Sequence, residues 1–366
     1  MNQIAIGIVG AGGRGHSFFG LFTNNLNVRL EALCDIDKEA LDEAAKTAGV
    51  SKTYTDYEEM LDKANLDAVI VGTPMHLHAS QSIRALERGI HVLSEVPAAV
   101  SIDEAKDLVR VCKKSSAKYM MAENCCYMTP NVLVLEIARA GLFGTMYFGE
   151  GQYIHELKEL NETTRWRRKW QTGINGCTYP THSLGPVCQW MNDRVVSVSC
   201  TGTGHHYTDP RGDDYENEDS TITSCRMEGG GLAVIRLDML SERPHNMTYY
   251  SLQGTEGCYE AARGLGDEPK IWLKSRHNEL EWTPLSQLED EFLPQEWKSA
   301  SKEAQESGHG GSDYMVIQDF VRTIVEDGTP SIGIHEAMDM TLPGLISQQS
   351  IEQASIWLPV PDSRMW

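Results

Sequence analysis

Four residues near the start of the chain have the types and spacing to hold a dinucleotide. Gly10, Gly12 and Gly15 form G-x-G-x-x-G within GAGGRG, and Asp35 follows twenty residues after the last of them. Such a loop needs glycine because a Cβ would block the tight turn and hold the backbone away from a pyrophosphate. The N–H groups and dipole of a following helix can then face that anion. A carboxylate at Asp35 can accept from both ribose hydroxyls of NAD and repel the extra phosphate of NADP. Gly13 and Arg14 lie inside the loop and are counted with the cofactor-binding residues. NAD is the expected cofactor.

The elements that must position these residues can be read from the same stretch. Ile4, Ile6, Ile8 and Val9 make a short β-branched run, as expected of a buried parallel strand, and Val28–Cys34 makes a second that ends at Asp35. The patterning then predicts helices over Lys38–Ala48, 57–62 and 77–87, and strands over 67–72, His91–Ser94 and 118–122. Ser101 with Glu104 three residues on reads as a capping box. Strands alternating with helices predict a doubly wound parallel sheet, a Rossmann domain over residues 1–123. From residue 124 the pattern changes: a helix over 131–140 is followed by long strand-like runs joined by glycine-rich turns. A second domain over 124–366 is expected, α+β in class, with a large open antiparallel sheet and helices on one face. Closing helices are predicted over 313–326 and 335–354, with Pro343-Gly344 bending or breaking the second.

Composition excludes several classes of partner. The 366 residues carry 32 basic and 52 acidic side chains, a net charge of −20, which argues against nucleic acid or an anionic membrane. No apolar run approaches the roughly 20 residues of a membrane span. The first strand begins at Ile4, so no export leader is expected and a cytoplasmic location is. The nine cysteines contain no C-x-x-C pair and read as reduced thiols. The acidic run at 213–219, DDYENED, reads as a solvated loop, because EF-hand spacing and its glycine are missing. His76 and His78 have metal-like spacing for a strand, yet no metal is expected. The open sheet face implies a homodimer or homotetramer.

Further motifs carry a resemblance. Thr73, Pro74 and His78 look like a T-P-x-x-x-H turn, and GIHVLSEVP at 89–97 looks like G-K-H-V-x-x-E-K-P. With the glycine loop and the large sheet, these resemble the glucose-fructose oxidoreductase, inositol dehydrogenase and MocA superfamily. Val96 departs from it, standing where most of its dehydrogenases carry a proton-handling lysine. The usual D-x-x-x-H pair is also altered: if His182 is its histidine, Thr178 replaces the aspartate. The altered pieces resemble the NAD-dependent glycosidases of glycoside hydrolase family 109. The segments are ENCCY at 123–127, Tyr153-Ile154-His155, Trp166-Arg167, Tyr179-Pro180-Thr181-His182 with Leu184-Gly185-Pro186, and Gly308-His309-Gly310-Gly311 with Asp313. Ser183 differs from a position often glycine, and the chain is shorter than typical members, so the sugar specificity need not carry over.

The resemblance implies a glycoside hydrolase that uses bound NAD without net redox change, by oxidation at sugar carbon 3, elimination, water addition and re-reduction. The alternative is a sugar dehydrogenase or 3-keto-sugar reductase of the same superfamily. It implies Tyr179 and His182 as acid/base groups, and Thr73, Pro74, His78, Glu95 and Asn124 beside the cofactor. Leu184-Gly185-Pro186 reads as the opening of a helix. Tyr127, His155, Trp166, Arg167 and His309 are expected to bind a small carbohydrate or glycoside. The RWRRKW run also reads as an exposed basic loop.

Overall fold

The computed structural model describes residues 3–22, 27–244, 246–276 and 279–366. The chain forms two compact units, one of Met1–Asn124, Ser301–Met338 and Ser363–Trp366, the other of Cys125–Ala300 and Asp339–Asp362. The late return to the first unit is a departure from a single division after residue 123. Three hydrogen-bonded contacts account for it. Met121 N–H donates to Ile332 O (3.0 Å), Lys113 Nζ to Arg364 O (3.2 Å), and the Arg14 guanidinium to Asp313.

In the first unit the strands are β1 Ile4–Val9, β2 Val28–Cys34, β3 Thr53–Tyr54, β4 Ala68–Val71, β5 His91–Ser94 and β6 Tyr119–Met121. They pair in parallel in the order β3-β2-β1-β4-β5-β6. Every residue of β1 is buried, as both faces of a doubly wound sheet require. The helix Lys38–Ala48 starts on Asp37, whose side chain accepts from Glu39 and Ala40 N–H, and stops at Gly49, with φ of 67°. Ser101 accepts from Glu104 N–H, and Glu104 accepts in turn from Val100 N–H. After the glycine loop the chain makes a 3₁₀ helix, Arg14–Phe22, where an α-helix is expected. Gly15 and Gly20 in that run weaken α-helix propagation.

The second unit has nine strands: β7 Met146–Ile154, β8 Val195–Gly202, β9 Ser220–Met227, β10 Leu232–Asp238, β11 Thr248–Gly254, β12 Gly257–Glu260, β13 Lys270–Leu273, β14 Thr283–Pro284 and β15 Leu358–Pro359. Their order is β14-β13-β12-β11-β7-β10-β9-β8-β15. The sheet is mixed, since β7 and β10 are parallel while the other pairings are antiparallel. The reason is topological. β7 sits between β10 and β11, which run in opposite directions, so it must be parallel to one of them. Burial alternates along β9: Thr221, Thr223, Cys225 and Met227 are buried, while Ile222 and Arg226 are exposed. One face is therefore covered and the other open.

The helix Thr181–Met191 lies directly on β7. A Cβ on Gly149 would stand 2.5 Å from Val187 Cγ1, and one on Gly151 only 1.8 Å from Ser183 O. This helix begins three residues before the expected start at Leu184, and Pro186 lies inside it. Proline has no N–H to offer the carbonyl four residues back. That carbonyl, His182 O, instead accepts from the Tyr250 hydroxyl at 2.5 Å. Pro343-Gly344 likewise does not break its helix, which runs over Ile334–Glu352. Gly344 has a packing reason: a Cβ there would meet Pro180 Cγ at 2.5 Å and Cys177 O at 2.7 Å.

The acidic loop at 213–219 corrects the solvated-loop expectation. Asp213, Asp214 and Glu216 face solvent, whereas Tyr215, Asn217 and Asp219 are buried. Asn217 Nδ2 donates to Ile174 O and Gly176 O, and Glu216 pairs with Arg168. Among the described residues no helix is long and apolar enough to cross a membrane.

Candidate active site

In the first unit the glycine loop forms a cradle in which side chains have no room. Gly10 has φ of +83°, and a Cβ on it would stand 2.6 Å from Gly72 O. A Cβ on Gly15 would meet Gly10 O and Ile8 Cγ2 at 2.7 Å each, and one on Gly12 would meet Ala40 Cβ at 2.6 Å. Gly13 faces open space, its nearest neighbour at 3.9 Å. Asp35 ends β2 with Oδ2 accepting from Gly12 N–H (2.8 Å) and Oδ1 from Asp37 N–H (3.0 Å). The carboxylate is thus fixed at the rim of the loop, where a ribose would be held. These features fit a bound NAD: a backbone cradle for pyrophosphate and an acid for the ribose.

His78 is buried, with Nε2 2.7 Å from Thr73 O and Nδ1 2.9 Å from Pro97 O. Burial lowers its proton affinity, and the two carbonyls pull it back. One ring nitrogen thus faces a carbonyl of the turn and the other the Pro97 carbonyl. Thr73 Oγ1 donates to Gln81 Oε1 at 2.6 Å. Val96 and Asn124 are both buried.

Arg14 does something the sequence did not disclose. Its Nε donates to Glu95 Oε1 (2.9 Å), Nη1 to Asp313 Oδ2 (2.8 Å) and Nη2 to Asp313 Oδ1 (2.8 Å). Three of its five N–H groups are therefore given to carboxylates. Asp313 also meets His309, whose Nδ1 lies 3.0 Å from Oδ2. Burial would raise the Asp313 carboxyl, but hydrogen bonds and charge from His309 and Arg14 hold it well below the usual carboxylate range. An ionised Asp313 can only accept, so Nδ1 carries the proton and Nε2 of a neutral ring keeps its lone pair. The surrounding glycines serve this contact. A Cβ on Gly308 would lie 2.3 Å from Asp313 Oδ2, and His309 itself has φ of 54°.

In the second unit the residues at the end of β7 and the start of the Thr181 helix gather. Tyr153 lies near the end of β7 and His155 just beyond it, and the Tyr153 hydroxyl is 2.8 Å from His155 Nδ1. The His182 ring stands 4.8 Å from that of Tyr153 and 5.0 Å from that of Tyr179, both edge-on. The Tyr153 and Tyr179 rings are 5.7 Å apart. Burial pushes the Tyr153 hydroxyl well above the ordinary phenol range, against an opposing pull from His182 and Arg167. Arg167 is thus close enough to act on this cluster. It stacks over Trp166 at 4.5 Å and donates to Gln171 Oε1 at 2.9 Å. The run Arg165–Trp170 is a short helix in which Trp166 and Arg167 are half-buried. Tyr127 is buried, and its carbonyl accepts from Trp297 Nε1 at 3.2 Å. Thr178, at the position of the missing aspartate, donates to Gln171 O at 2.8 Å.

The structure adds Tyr153 and Asp313 to the candidates. Strand alternation in Y-I-H could have flagged Tyr153, and the four-residue spacing of His309 and Asp313 could have flagged the pair. His309 belongs to the first unit, with Arg14 and Glu95.

A doubly wound sheet with a glycine cradle and a following mixed sheet defines an NAD-binding oxidoreductase fold. Residues 4–123 match the oxidoreductase family with NAD-binding Rossmann fold of the glucose-fructose oxidoreductase, inositol dehydrogenase and MocA type. Levoglucosan dehydrogenase, solved in complex with NADH and L-sorbose, has the same fold, with a TM-score of 0.81 at 20% identity over 99% of this chain and 100% of that one. NAD is the cofactor. Residues 127–364 match the C-terminal domain of glycosyl hydrolase 109, and the chain belongs to that family. A glycosyl hydrolase family 109 protein of Saccharopolyspora erythraea is 32% identical over 98% of this chain and 83% of its own length. An alpha-N-acetylgalactosaminidase of Shewanella oneidensis is 29% identical, over 99% and 85% respectively.

Proposed function

We propose that this protein hydrolyses a glycoside by transient oxidation at sugar carbon 3, elimination of the anomeric group, addition of water and re-reduction. Bound NAD supplies the reversible oxidation of carbon 3. The chain's residues must then manage protons at three places: the carbon 3 hydroxyl, carbon 2, and the leaving oxygen or incoming water. One observation carries the reading. The chain holds two separate sets of proton-handling groups, the Tyr179–His182 cluster and the His309–Asp313 pair. Oxidation of an alcohol alone uses one, and the lysine that serves it elsewhere is here the buried Val96.

Tyr179 and His182 are assigned to the carbon 3 hydroxyl and the carbon 2 hydrogen, which a neighbouring ketone acidifies. His309, with Nδ1 fixed by Asp313, is assigned to the leaving oxygen and the water: as the imidazolium it gives its Nε2 proton as the bond breaks, and the neutral ring takes a proton back at Nε2 as water adds. Trp166, Arg167, His155 and Tyr127 are assigned to the sugar, an aromatic face against its C–H groups and donors toward its hydroxyls. Because the Shewanella oneidensis relative is named an alpha-N-acetylgalactosaminidase, aryl N-acetylgalactosaminides are the first substrates to try.

The test is hydrolysis in D₂O. Product should carry deuterium at carbon 2 with total NADH constant. Cleavage without that deuterium rejects the elimination, and NADH accumulating beside an intact glycosidic bond identifies a dehydrogenase instead. Each of the nine cysteines is a thiol rather than half of a disulfide, which fits a reducing, cytoplasmic setting. The open sheet face, with Ile222 at 44% and Leu232 at 37% exposure, fits a homodimer or homotetramer. A monomeric mass by light scattering at micromolar concentration contradicts that assembly.

A further inference from the structure

Arg14 is placed in the sequence as a cofactor-loop residue, yet each of its three donor nitrogens already gives a hydrogen bond to a carboxylate. They reach Glu95, at the end of β5, and Asp313, in the helix Ser312–Val325. The guanidinium also lies over the Phe18 ring, 4.8 Å from its centroid. The Asp313 side chain is 1% exposed and that of Arg14 25%. A bidentate arginine–carboxylate pair this sheltered from water fixes position as well as charge, because both planar groups must stay in register.

We propose that Arg14 is a positioning residue that couples the cofactor loop to His309: through Asp313 it sets both the orientation of the imidazole and the pH at which that ring changes charge. The proposal rests on the acid/base reading of His309 given above, but its test does not.

The electrostatic logic has a definite sign. Among the described residues the charged groups of this assembly are Asp313, one turn on from His309, Arg14 from the glycine loop and Glu95 from the end of β5. Asp313 and Glu95 bring negative charge to this assembly and Arg14 positive charge, so removing one sign acts opposite to removing the other. Removing Arg14 should therefore favour the imidazolium and move the His309 titration to higher pH. Removing the Glu95 charge should move it the other way by a smaller amount. A brace that merely stiffened the loop would give no such opposition of sign.

The geometry also makes the coupling mechanical. Arg14 follows Gly13 and precedes Gly15, whose N–H donates to Gly10 O at 3.2 Å. A ligand that orders this loop therefore orders the guanidinium, and with it the carboxylate that holds His309.

The experiment uses the NAD-bound protein with carbon-13-labelled histidine. The His309 resonance is identified by its loss in His309→Gln, and its titration is followed in the parent, Arg14→Gln, Arg14→Lys and Glu95→Gln. Arg14→Gln is expected to raise the midpoint by about one unit or more, the scale of losing a cation from such a cluster. Arg14→Lys, which keeps the charge but not the fork, is expected to raise it less, and Glu95→Gln to lower it. An unchanged midpoint in folded, NAD-binding Arg14→Gln overturns the proposal, as does a loss of NAD affinity with no change in midpoint. If Arg14→Gln does not fold, Arg14→Lys decides by the same criterion. Failure of the parent to cleave any glycoside would overturn the proposed function and leave this titration standing, while an unchanged titration would leave cleavage by the parent untouched.

Discussion

His309 and His182 are both imidazoles in candidate acid/base positions, and they are held by different physics. His309 is fixed by charge: an ionised, buried Asp313 takes its Nδ1, and Arg14 and Glu95 extend the chain of ions. His182 is fixed by packing: it is the second residue of a helix pressed onto β7, edge-on to Tyr153 and Tyr179, with its carbonyl held by Tyr250. The ionic arrangement sets a tautomer and stays sensitive to nearby charge. The packed arrangement sets a distance and is intolerant of a methyl group, as Gly149 and Gly151 make plain.

The sharpest way to break this comparison is His309→Gln. It should cut glycoside cleavage by about 10²–10⁴-fold, the range for a lost general acid/base, while NAD affinity by calorimetry stays within error of the parent. Cleavage at the parent rate would remove the ionic pair from the chemistry. Tyr179→Phe tests the packed side. It keeps the ring that abuts His182 and removes only the hydroxyl, so a loss of about 10²-fold with normal folding is expected. A variant as active as the parent would reduce Tyr179 to core.

Smaller effects sharpen the contrast. Asp35→Ala removes the carboxylate at the rim of the loop and should narrow the preference for NAD over NADP. Equal binding of the two cofactors by the unmodified protein, measured by calorimetry, would sink that assignment.

Acid stability should distinguish the two arrangements with the least change in signal. Burial of Asp313 works against its charge, but His309 and Arg14 prevail and its carboxyl lies below its ordinary value. A depressed carboxyl adds stability that is complete above the unfolded value, near pH 4, and is lost as pH falls from there toward the folded value. Asp313→Asn should therefore be less stable than the parent at pH 7 and lose less on going from pH 5 to pH 3, as followed by urea unfolding. Identical pH slopes for the two proteins would mean that the pair contributes nothing to folding. The Tyr153 hydroxyl, raised by burial, does not titrate in this window.

The sequence determined the first sheet almost residue by residue, because its signals are local. A buried β-branched run, glycines in a turn, an acid after the second strand and a capping serine each act within a few residues of themselves. Val28–Cys34, Lys38–Ala48 and His91–Ser94 have the predicted bounds for that reason. The motifs around Tyr179, His182 and His309 were legible too, though only as stretches with a resemblance. What each residue touches was decided by tertiary structure. Arg14 was legible only as a residue of the cofactor loop because its partner Asp313 lies 299 positions away, and no local pattern encodes a bond of that span. Pro343 looked like a helix break, and Pro186 like the opening of a helix rather than its interior, because local rules count the missing N–H and not the packing around it. For Pro186 the tertiary fold even reuses the freed carbonyl, giving it to Tyr250. The parallel pairing of β7 with β10 was hidden for the same reason: a strand's neighbours depend on where the rest of the chain has already been laid down.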